Sequence, residues 1–443
     1  MSDWPKRRLH FIAIGGAGMS GLALVAHRLG ATVTGSDRAD STYMERLRSA
    51  GLQPFLGHDA AQVPADADVV VSTAIQEDNP ELAVARERGQ PVIHRGELLA
   101  ELCGGKRLIA VSGTHGKTTT AAMLIWALQE TGSDPAWFLG GELPRAGTEG
   151  EAANAGWGEG EWAVAEADES DASFLRLGPE IAIVNNVEMD HHSRWGSLAE
   201  LHEAFAAFAG PARGVVRPAD EEMSWLERAG DEVVRFDSAV PGPAELNLAV
   251  PGEHNRRNAR AALAALELAG FDVNAAAEAL SGFRGVHRRL ELKGSRGPVH
   301  IYDDYAHHPT EVRAALSALR ELRPSRLLAV FQPHLYSRTK ALAEEFGAAL
   351  TLADEIAVLD VYPAREEPVG ELVGVSGLRV AQAAAERGGG KPVWWLPTLE
   401  LAGRALSERL DRTHEVDEGA ILVTIGAGDV FKLGEALVTE APR

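Results

Sequence analysis

The sequence lacks several features that define whole classes of protein. It contains a single cysteine, Cys103, which excludes an intramolecular disulfide framework and a multi-cysteine metal site. No run approaches the roughly 20 consecutive apolar residues that a membrane span needs, and no short-period repeat is present. These absences predict a reduced, cytoplasmic protein with no membrane partner.

Positive charge is also scarce. The 443 residues include 43 Lys and Arg against 64 Asp and Glu, a formal net charge of −21. Because nucleic-acid binding depends on Lys and Arg that neutralise phosphates, a nucleic-acid partner is excluded. A small anionic substrate remains possible, since a local positive pocket acts within a Debye length of about 8 Å. The length suggests roughly three domains.

Short apolar runs bounded by glycine alternate with helical patterns along the chain, which predicts parallel sheets flanked by helices. Near the start, basic residues 6–8 precede an apolar stretch that could pass for a secretory signal. Four glycines interrupt that stretch at residues 9–26. They favour a strand, a loop and a helix instead.

The first motif is a glycine-rich loop, G-x-G-x-x-G, which begins at Gly16 directly after an apolar run. Glycines let the backbone approach a diphosphate and aim the start of a helix at it. Asp37 closes the next apolar run, at about the distance of a ribose-binding acid. The pattern fits NAD or FAD, another nucleoside diphosphate such as a UDP-sugar, or a tight turn.

The second motif, SGTHGKTTT at residues 112–120, is more specific. The N–H groups of such a loop cradle phosphates, Lys117 neutralises the outer ones, and a hydroxyl at the helix start ligates Mg²⁺. Val111 stands where the usual G-x-x-x-x-G-K pattern has its first glycine. That departure argues against the common GTPase and ATPase families but not against phosphate binding.

Acids and histidines follow two further apolar runs, as EADESD at residues 166–171 and NVEMDHH at residues 186–192. In a P-loop domain an acid at a neighbouring strand end holds the metal, and Mg²⁺ prefers hard oxygen ligands. We therefore expect Glu166 or Asp168 to face the phosphate loop. A solvated acidic face and a structural loop histidine are the alternatives.

The remaining candidates lie in the later part of the chain. Asn255 and Asn258 share one face of a predicted helix, where an amide pair can read an adenine edge, although asparagine before a helix is usually a cap. Polar runs follow two apolar runs, DDYAHHP at 303–309 and QPHLYSR at 332–338, and Pro309 fits the first turn of a helix. Ligands gather beyond the carboxyl ends of parallel strands, where these motifs are expected.

Together these motifs resemble the Mur ligase family, nearly end to end and in the same order. The runs that carry the resemblance are GGAGMSG, GTHGKTTT, EADESD, MDHH, EHNRRN, HRRLE, DDYAHHPTE and FQPHLYSRT. The resemblance implies an α/β protein of three domains, each a mostly parallel sheet flanked by helices. These are a Rossmann-like UDP-substrate domain (1–100), a central ATP-binding P-loop domain (101–286) and a C-terminal Rossmann-like domain (287–443) that brings the amino acid and closes on ATP.

The resemblance also implies roles for individual residues. The expected catalytic residues are Lys117, Glu166 and His191, and the expected Mg²⁺ ligands are Thr118, Glu166 and His191. The expected ATP-binding residues are Gly113, Thr114, His115, Gly116, Lys117, Thr118, Thr119, Asn255, Asn258, Arg289 and Asp304. The first glycine loop is reassigned from NAD to the UDP-sugar, with contacts expected from Gly16, Ala17, Gly18, Met19, Ser20, Asp37 and Ser72. The residues expected near the amino acid or acyl group are His334, Tyr336 and Arg338.

The implied activity is an ATP- and Mg²⁺-dependent ligation in peptidoglycan precursor synthesis. It joins L-alanine to the carboxylate of UDP-N-acetylmuramate through an acyl phosphate and releases ADP and phosphate. The nearest alternative uses a murein tripeptide as the nucleophile; a nicotinamide oxidoreductase and a non-catalytic nucleotide sensor are more distant alternatives.

The chain departs from several Mur ligases in one respect. Those enzymes bridge a second metal with a carbamylated lysine, whereas no lysine occurs here between Lys117 and Lys293. The bridge cannot exist in the central domain, so any second Mg²⁺ must rely on His191, substrate phosphate and water.

Overall fold

The structure is a computed structural model that describes residues 3–144, 152–189, 194–236, 246–364, 366–411 and 419–439. The chain divides into two compact units, one of residues 1–248 and 256–283 and the other of residues 249–255 and 284–443. Among the described helices, none combines the length and the apolar character that crossing a membrane requires. Short 3-10 helices occur at Trp4–Lys6, Ala60–Gln62, Ser173–Arg176, Glu221–Arg228 and Gly370–Leu372.

The first sheet belongs to the first unit and has five parallel strands in the order β3-β2-β1-β4-β5. The strands are β1 (Arg8–Ile12), β2 (Thr32–Asp37), β3 (Phe55–Leu56), β4 (Asp68–Val71) and β5 (Val92–His94). The helices are α1 (Ala17–Arg28), α2 (Thr42–Ser49), α3 (Pro80–Glu87) and α4 (Arg95–Cys103). The strand order reverses between β1 and β4, and this switch point is where open α/β sheets bind ligands.

The central sheet also belongs to the first unit and has the order β12-β11-β10-β6-β9-β7-β8. Its strands are β6 (Arg107–Ser112), β7 (Ala136–Pro144), β8 (Ala152–Gly156), β9 (Trp162–Glu166), β10 (Ile181–Val184), β11 (Gly214–Arg217) and β12 (Glu232–Arg235). The helices are α5 (Lys117–Glu130), α6 (Leu198–Ala209), α7 (Glu253–Leu268) and α8 (Val273–Leu280). All pairs are parallel except β7 with β8.

The third sheet belongs to the second unit and has the order β13-β14-β18-β15-β16-β17. Its strands are β13 (Glu291–Arg296), β14 (Val299–Asp304), β15 (Leu327–Phe331), β16 (Glu355–Val358), β17 (Val393–Trp395) and β18 (Ala420–Ile425). The helices are α9 (Pro309–Glu321), α10 (Tyr336–Leu350), α11 (Leu378–Arg387), α12 (Leu399–Asp411) and α13 (Phe431–Thr439). Among the strand pairs that the structure describes in this sheet, the edge pair of β13 with β14 is antiparallel and the others are parallel.

These three sheets confirm the expected α/β architecture of mostly parallel strands flanked by helices. Strands β6, β9, β10 and β18 are buried along nearly their whole length, as sheets covered on both faces require. Pro309 is the first residue of α9, after the cap residue His308, as expected. The division at residues 100 and 286 stays a prediction, because the first two sheets share one compact unit.

Candidate active site

The loop between β6 and α5 has the backbone geometry of a phosphate-binding loop. Gly113 and Gly116 adopt φ values of +126° and +81°, which L side chains rarely adopt. A Cβ at Gly113 would lie 2.9 Å from the backbone nitrogen of Asn185, and one at Gly116 would lie 2.5 Å from Asn258 Oδ1. Both glycines are therefore required, and the first N–H groups of α5 are left at the loop.

The segment that follows β10 braces this loop. Asn186 accepts from the His115 backbone N–H at 2.8 Å through Oδ1 and donates to the His115 carbonyl at 3.0 Å through Nδ2. Thr114 Oγ1 donates to the Glu188 carbonyl at 3.1 Å and accepts from the Glu188 N–H at 2.9 Å. The sequence predicted metal or phosphate contact for this segment but missed its bracing role.

Lys117 begins α5 and is largely buried, with 13% of its side chain exposed. Its Nζ donates to the carbonyls of Gly113 at 2.7 Å and Thr114 at 3.2 Å. It also contacts both carboxylate oxygens of Glu169, at 2.8 and 3.1 Å. Despite burial, the nearby charge of Glu169 raises the pKa of Lys117, so the lysine is a fixed positive charge.

Glu166, the last residue of β9, faces the start of α5. Its Oε1 accepts from Thr118 Oγ1 at 3.0 Å, and its Oε2 accepts from the Gly140 backbone N–H at 2.8 Å. Strands β6 and β9 are adjacent and parallel, which explains why the two motifs meet. Of the two acids predicted to face this loop, Glu166 and Asp168, the structure brings Glu166 to Thr118; its role as a metal ligand stays a prediction.

The turn of residues 166–171, called here the acid turn, contacts two different cations, Arg95 and Lys117. Asp168 and Asp171 receive hydrogen bonds from Arg95 at 3.2 and 2.9 Å, whereas Glu169 pairs with Lys117. Although burial opposes it, the charges of Lys117 and Arg95 lower the pKa of Asp168 to about 2. Burial raises the pKa of Glu169 to about 7, against the opposing charge of Lys117.

The glycine-rich loop after β1 leads into α1, which packs against β8 of the central sheet. Asn154 of β8 donates to the Ala17 carbonyl and, at 3.0 Å, to Ser20 Oγ. A Cβ at Gly21 would lie 2.9 Å from the Ala155 Cβ. The third glycine of the motif thus allows β8 to approach α1. The sequence did not reveal this role, because no strand was predicted at residues 152–156.

A cavity of about 250 Å³ lies between the start of α1 and the acid turn. Its lining includes Ala17, Gly18, Arg95, Gly140, Glu166 and Asp168. Arg95 brings a positive charge to this cavity, and a Cβ at Gly18 would lie 3.2 Å from Arg95 Nη1. An anionic group that spans this space would reach from the glycine loop to Glu166. The sequence gave no signal for Arg95.

The other residues expected to bind the UDP-sugar surround the switch point of the first sheet. Asp37 ends β2, and its Oδ2 accepts from the Gly15 N–H at 3.0 Å. Ser72 directly follows β4. Met19 is buried in the core, and Ser20 is buried with its N–H bonded to the Gly16 carbonyl. The Ser20 hydroxyl donates to the Ala17 carbonyl at 3.1 Å, and its contact with a substrate stays a prediction.

Four further residues are expected to bind ATP or the metal: His191, Asn258, Asn255 and Thr119. His191 lies outside the described residues. Asn258 lies beside Gly116 in the first unit, whereas Asn255 belongs to the second unit and donates to the Pro251 carbonyl at 2.7 Å. Thr119 lies in the buried first turn of α5.

In the second unit, Asp304 ends β14 and is buried. Its two oxygens accept from the backbone N–H groups of Leu290 at 2.8 Å and Ala306 at 2.7 Å. Burial raises the pKa of Asp304 to about 6. The Arg289 guanidinium lies 5.2 Å from the centroid of the Tyr305 ring. Asp304 thus lies at the carboxyl end of β14, and Arg289 lies beside Tyr305, the next residue along the chain; their contact with ATP stays a prediction.

A histidine, two tyrosines and an arginine follow the carboxyl ends of the neighbouring strands β15 and β16. His334 follows β15, stacks on Tyr362 with a centroid distance of 5.9 Å, and lies 3.4 Å from Arg338 through its Nδ1. Tyr336 is the first residue of α10, and Arg338 is buried in its first turn. The three predicted residues thus follow the end of one strand. Tyr362, which the sequence did not single out, lies against His334.

Family models match three consecutive parts of the chain. Residues 8–107 match the model described as Mur ligase family, catalytic domain, and residues 111–240 match the Mur ligase middle domain. Residues 288–428 match the Mur ligase, glutamate ligase domain. Each matched part contains one of the three sheets or most of it.

Whole-chain relatives agree with these matches. The UDP-N-acetylmuramate–L-alanine ligases of Streptomyces coelicolor and Mycolicibacterium vanbaalenii are 44% and 42% identical, covering 98% of this chain and 98% and 96% of theirs. The solved UDP-N-acetylmuramate–alanine ligase of Thermotoga maritima is 30% identical with a TM-score of 0.79, covering 97% of this chain and 98% of that one. A murein peptide ligase from Psychrobacter arcticus is 26% identical with a TM-score of 0.70, covering 98% of both. The chain belongs to the Mur ligase family.

Proposed function

We propose that this protein is the ligase that joins L-alanine to the carboxylate of UDP-N-acetylmuramate at the expense of ATP, in peptidoglycan precursor synthesis. The observation that carries the proposal is the meeting of Thr118 and Glu166 at 3.0 Å, beside Lys117 and at the edge of the 250 Å³ cavity. Relatives 44% and 42% identical over nearly the whole chain bear that activity in their names. We place the reaction in the cytoplasm, where ATP is available.

In this proposal the phosphate loop of residues 113–119 holds the ATP phosphates. The N–H groups at the start of α5 and the Lys117 ammonium supply donors and charge there, as helix starts do for anions generally. The start of α1, with Gly16, Ala17 and Gly18, takes the diphosphate of the UDP-sugar, beside Asp37 and Ser72. The cavity then leads the sugar's carboxylate toward Glu166.

The donor set fits a magnesium ion. Thr118 Oγ1 and a Glu166 carboxylate oxygen are hard oxygen donors that already lie 3.0 Å apart, and Mg²⁺ prefers such ligands with several waters retained. His191 is the third proposed ligand. When bound, the ion neutralises charge on the phosphate oxygens.

The chemistry requires activation of an inert acid. A carboxylate resists attack by an amine because it is already anionic and its oxide is a poor leaving group. A carboxylate oxygen attacks the γ-phosphorus of ATP, an O–P bond forms, and the bond to ADP breaks. Lys117 and the loop N–H groups stabilise charge on the transferring group. The alanine amine then attacks the carbonyl carbon, loses a proton and expels phosphate.

The second unit supplies the amino-acid side in this proposal. His334, Tyr336 and Arg338 would contact the amino acid or the acyl group, and Arg289 and Asp304 the nucleotide. Because an acyl phosphate hydrolyses readily, water must be excluded while it exists. Closure of the second unit on ATP is part of the proposal.

Phosphate release tests the function directly. The purified protein is incubated with ATP, Mg²⁺ and UDP-N-acetylmuramate, and L-alanine, glycine, L-serine or the murein tripeptide is added in turn. We expect the highest kcat/KM with L-alanine. A higher value with the tripeptide would identify the recycling activity instead, and ADP formation with none of the amines would reject the ligase.

A further inference from the structure

The ammonium of Lys117 is saturated by protein acceptors. It carries three protons, and the structure gives it the Gly113 carbonyl at 2.7 Å, the Thr114 carbonyl at 3.2 Å and the Glu169 carboxylate at 2.8 and 3.1 Å. The proposed function requires this same ammonium to face the phosphates of ATP. At least one acceptor must therefore give way when the nucleotide binds.

The two carbonyls are poorly able to move. Gly113 adopts a φ of +126° against Asn185, and the N–H of Thr114 donates to the Asn186 carbonyl at 3.1 Å. The hydroxyl of Thr114 is fixed by two further bonds to the backbone of Glu188. The carbonyl positions are thus set by the loop itself.

Glu169 differs from these two carbonyls, because its acceptor lies at the end of a side chain and not in the backbone of the loop. Its carbonyl accepts from Trp195 Nε1 at 3.1 Å and from the Ala172 N–H at 3.2 Å. Its carboxylate is joined to that backbone by rotatable single bonds. The carboxylate is therefore the acceptor that can leave Lys117 without disturbing the loop.

Charge makes this departure necessary. The side chains of Lys117 and Glu169 are only 13% and 2% exposed, so solvent and salt screen their surroundings weakly. A triphosphate brought to the same ammonium would meet the Glu169 carboxylate as a second anion at close range.

We propose that Glu169 occupies the nucleotide-free Lys117 as an internal counter-ion and competes with the ATP phosphates for it. Glu169 is then a positioning residue that keeps the buried lysine charged and aligned in the empty site, at the expense of nucleotide affinity. This inference rests on the proposed function, since it assumes that Lys117 receives phosphates.

The test compares Glu169→Gln with the unaltered protein in binding two probes, the non-hydrolysable β,γ-imido analogue of ATP and AMP. Gln keeps the size of the side chain but removes the competing charge. We expect the analogue to bind about tenfold more tightly, roughly 1.4 kcal/mol, and AMP, which lacks the outer phosphates, to bind equally. A merely structural role would change both probes alike.

Asp171→Asn is the matched control. Asp171 lies on the same acid turn and also pairs with a cation, Arg95 at 2.9 Å, but Lys117 is not among its partners. We expect its substitution to leave the affinity for the imido analogue within about twofold, a change of roughly 0.4 kcal/mol. An equal gain in both variants would mean that general loss of negative charge, not competition at Lys117, strengthens binding, and would overturn the inference.

Unchanged or weaker binding of the analogue to a folded Glu169→Gln protein would also overturn it. Should that variant fail to fold, Glu169→Asp keeps the charge but retracts it from Lys117, and we expect a smaller gain in the same direction. No gain there contradicts the inference. If the unaltered protein itself fails to bind the analogue, the proposed function fails instead, so the two failures are distinguishable.

Discussion

The hydroxyl of Thr118 donates to the carboxylate of Glu166 at 3.0 Å, although 48 positions separate the two residues in the chain. Thr118 is the second residue of α5, the helix that follows β6, and Glu166 ends β9, the strand adjacent and parallel to β6. Two hard oxygen donors are thereby fixed beside the phosphate loop before any ligand binds.

Replacing Lys117 by alanine should lower turnover by about 10²–10³-fold, or about 2.7–4 kcal/mol, which is typical of losing one preorganised donor. The expected loss arises because the Lys117 ammonium is held in the phosphate loop by the carbonyls of Gly113 and Thr114. Phosphate release under saturating substrates measures it. Lys6→Ala, at a side chain 84% exposed, is the control, and amide formation by Lys117→Ala at the unaltered rate would refute the role.

Replacing Glu166 by glutamine should raise the Mg²⁺ concentration needed for half-maximal activity by about tenfold or more, as the loss of about 1.4 kcal/mol of binding does. The neutral amide is a weaker ligand for a hard cation than a carboxylate. A magnesium titration of the initial rate measures the shift. Asp171→Asn removes the same charge from the same turn, and an equal shift in both variants would contradict the assignment of Glu166.

Replacing Gly21 by alanine should destabilise the first unit by about 1–3 kcal/mol, the cost of overpacking. The new methyl would lie 2.9 Å from the Ala155 Cβ, so α1 and β8 must separate. Urea unfolding measures the change. Gly105→Ala, where no atom lies within 4 Å of the added Cβ, should be nearly neutral. Equal stability of the two variants would show that the close approach of β8 is unimportant.

Replacing Glu291 by glutamine should destabilise the protein at neutral pH but not in strong acid. Although burial opposes it, bonds from His287 and from the Arg288 backbone lower the pKa of Glu291 from 4.5 to about 2. A carboxyl whose pKa is lower in the folded protein than in the unfolded chain stabilises the fold at pH values above its unfolded pKa. That stability is lost as the pH falls from 4.5 toward 2.

Urea unfolding of Glu291→Gln and of the unaltered protein at several pH values checks this dependence. The difference between their free energies of unfolding should be largest at pH 7 and should disappear as the pH falls below 4.5. Glu371→Gln is the control, because Glu371 forms an exposed ion pair with Lys340 and such pairs contribute little. A gap that is independent of pH would contradict the prediction.

The sequence predicted the part of the site that lies at the ends of buried parallel strands. Lys117 and Glu166 follow apolar runs that become β6 and β9, and the rule that parallel strands end at one edge brings them together. The spacing of the glycines also identified the two loops. A positive φ or a close approach of the backbone leaves few alternatives to glycine.

What the sequence did not predict depends on contacts between distant segments. Strand β8 has the sequence AANAG, which lacks the β-branched and aromatic residues typical of strands, so its Asn154 could not be assigned. The contacts of Arg95 with the acid turn join the first sheet to the central one. To predict the pairing of Glu169 with Lys117 from the sequence, one would need to know which acid of the turn points toward the lysine.

In the proposed reaction, ATP activates the sugar's carboxylate by phosphorylating it. UDP-N-acetylmuramate labelled with ¹⁸O in that carboxylate, incubated with ATP, Mg²⁺ and L-alanine, tests it by mass spectrometry of the phosphate released. We expect one labelled oxygen in each phosphate formed with the amide. Unlabelled phosphate, formed together with the amide product, would contradict the acyl-phosphate route.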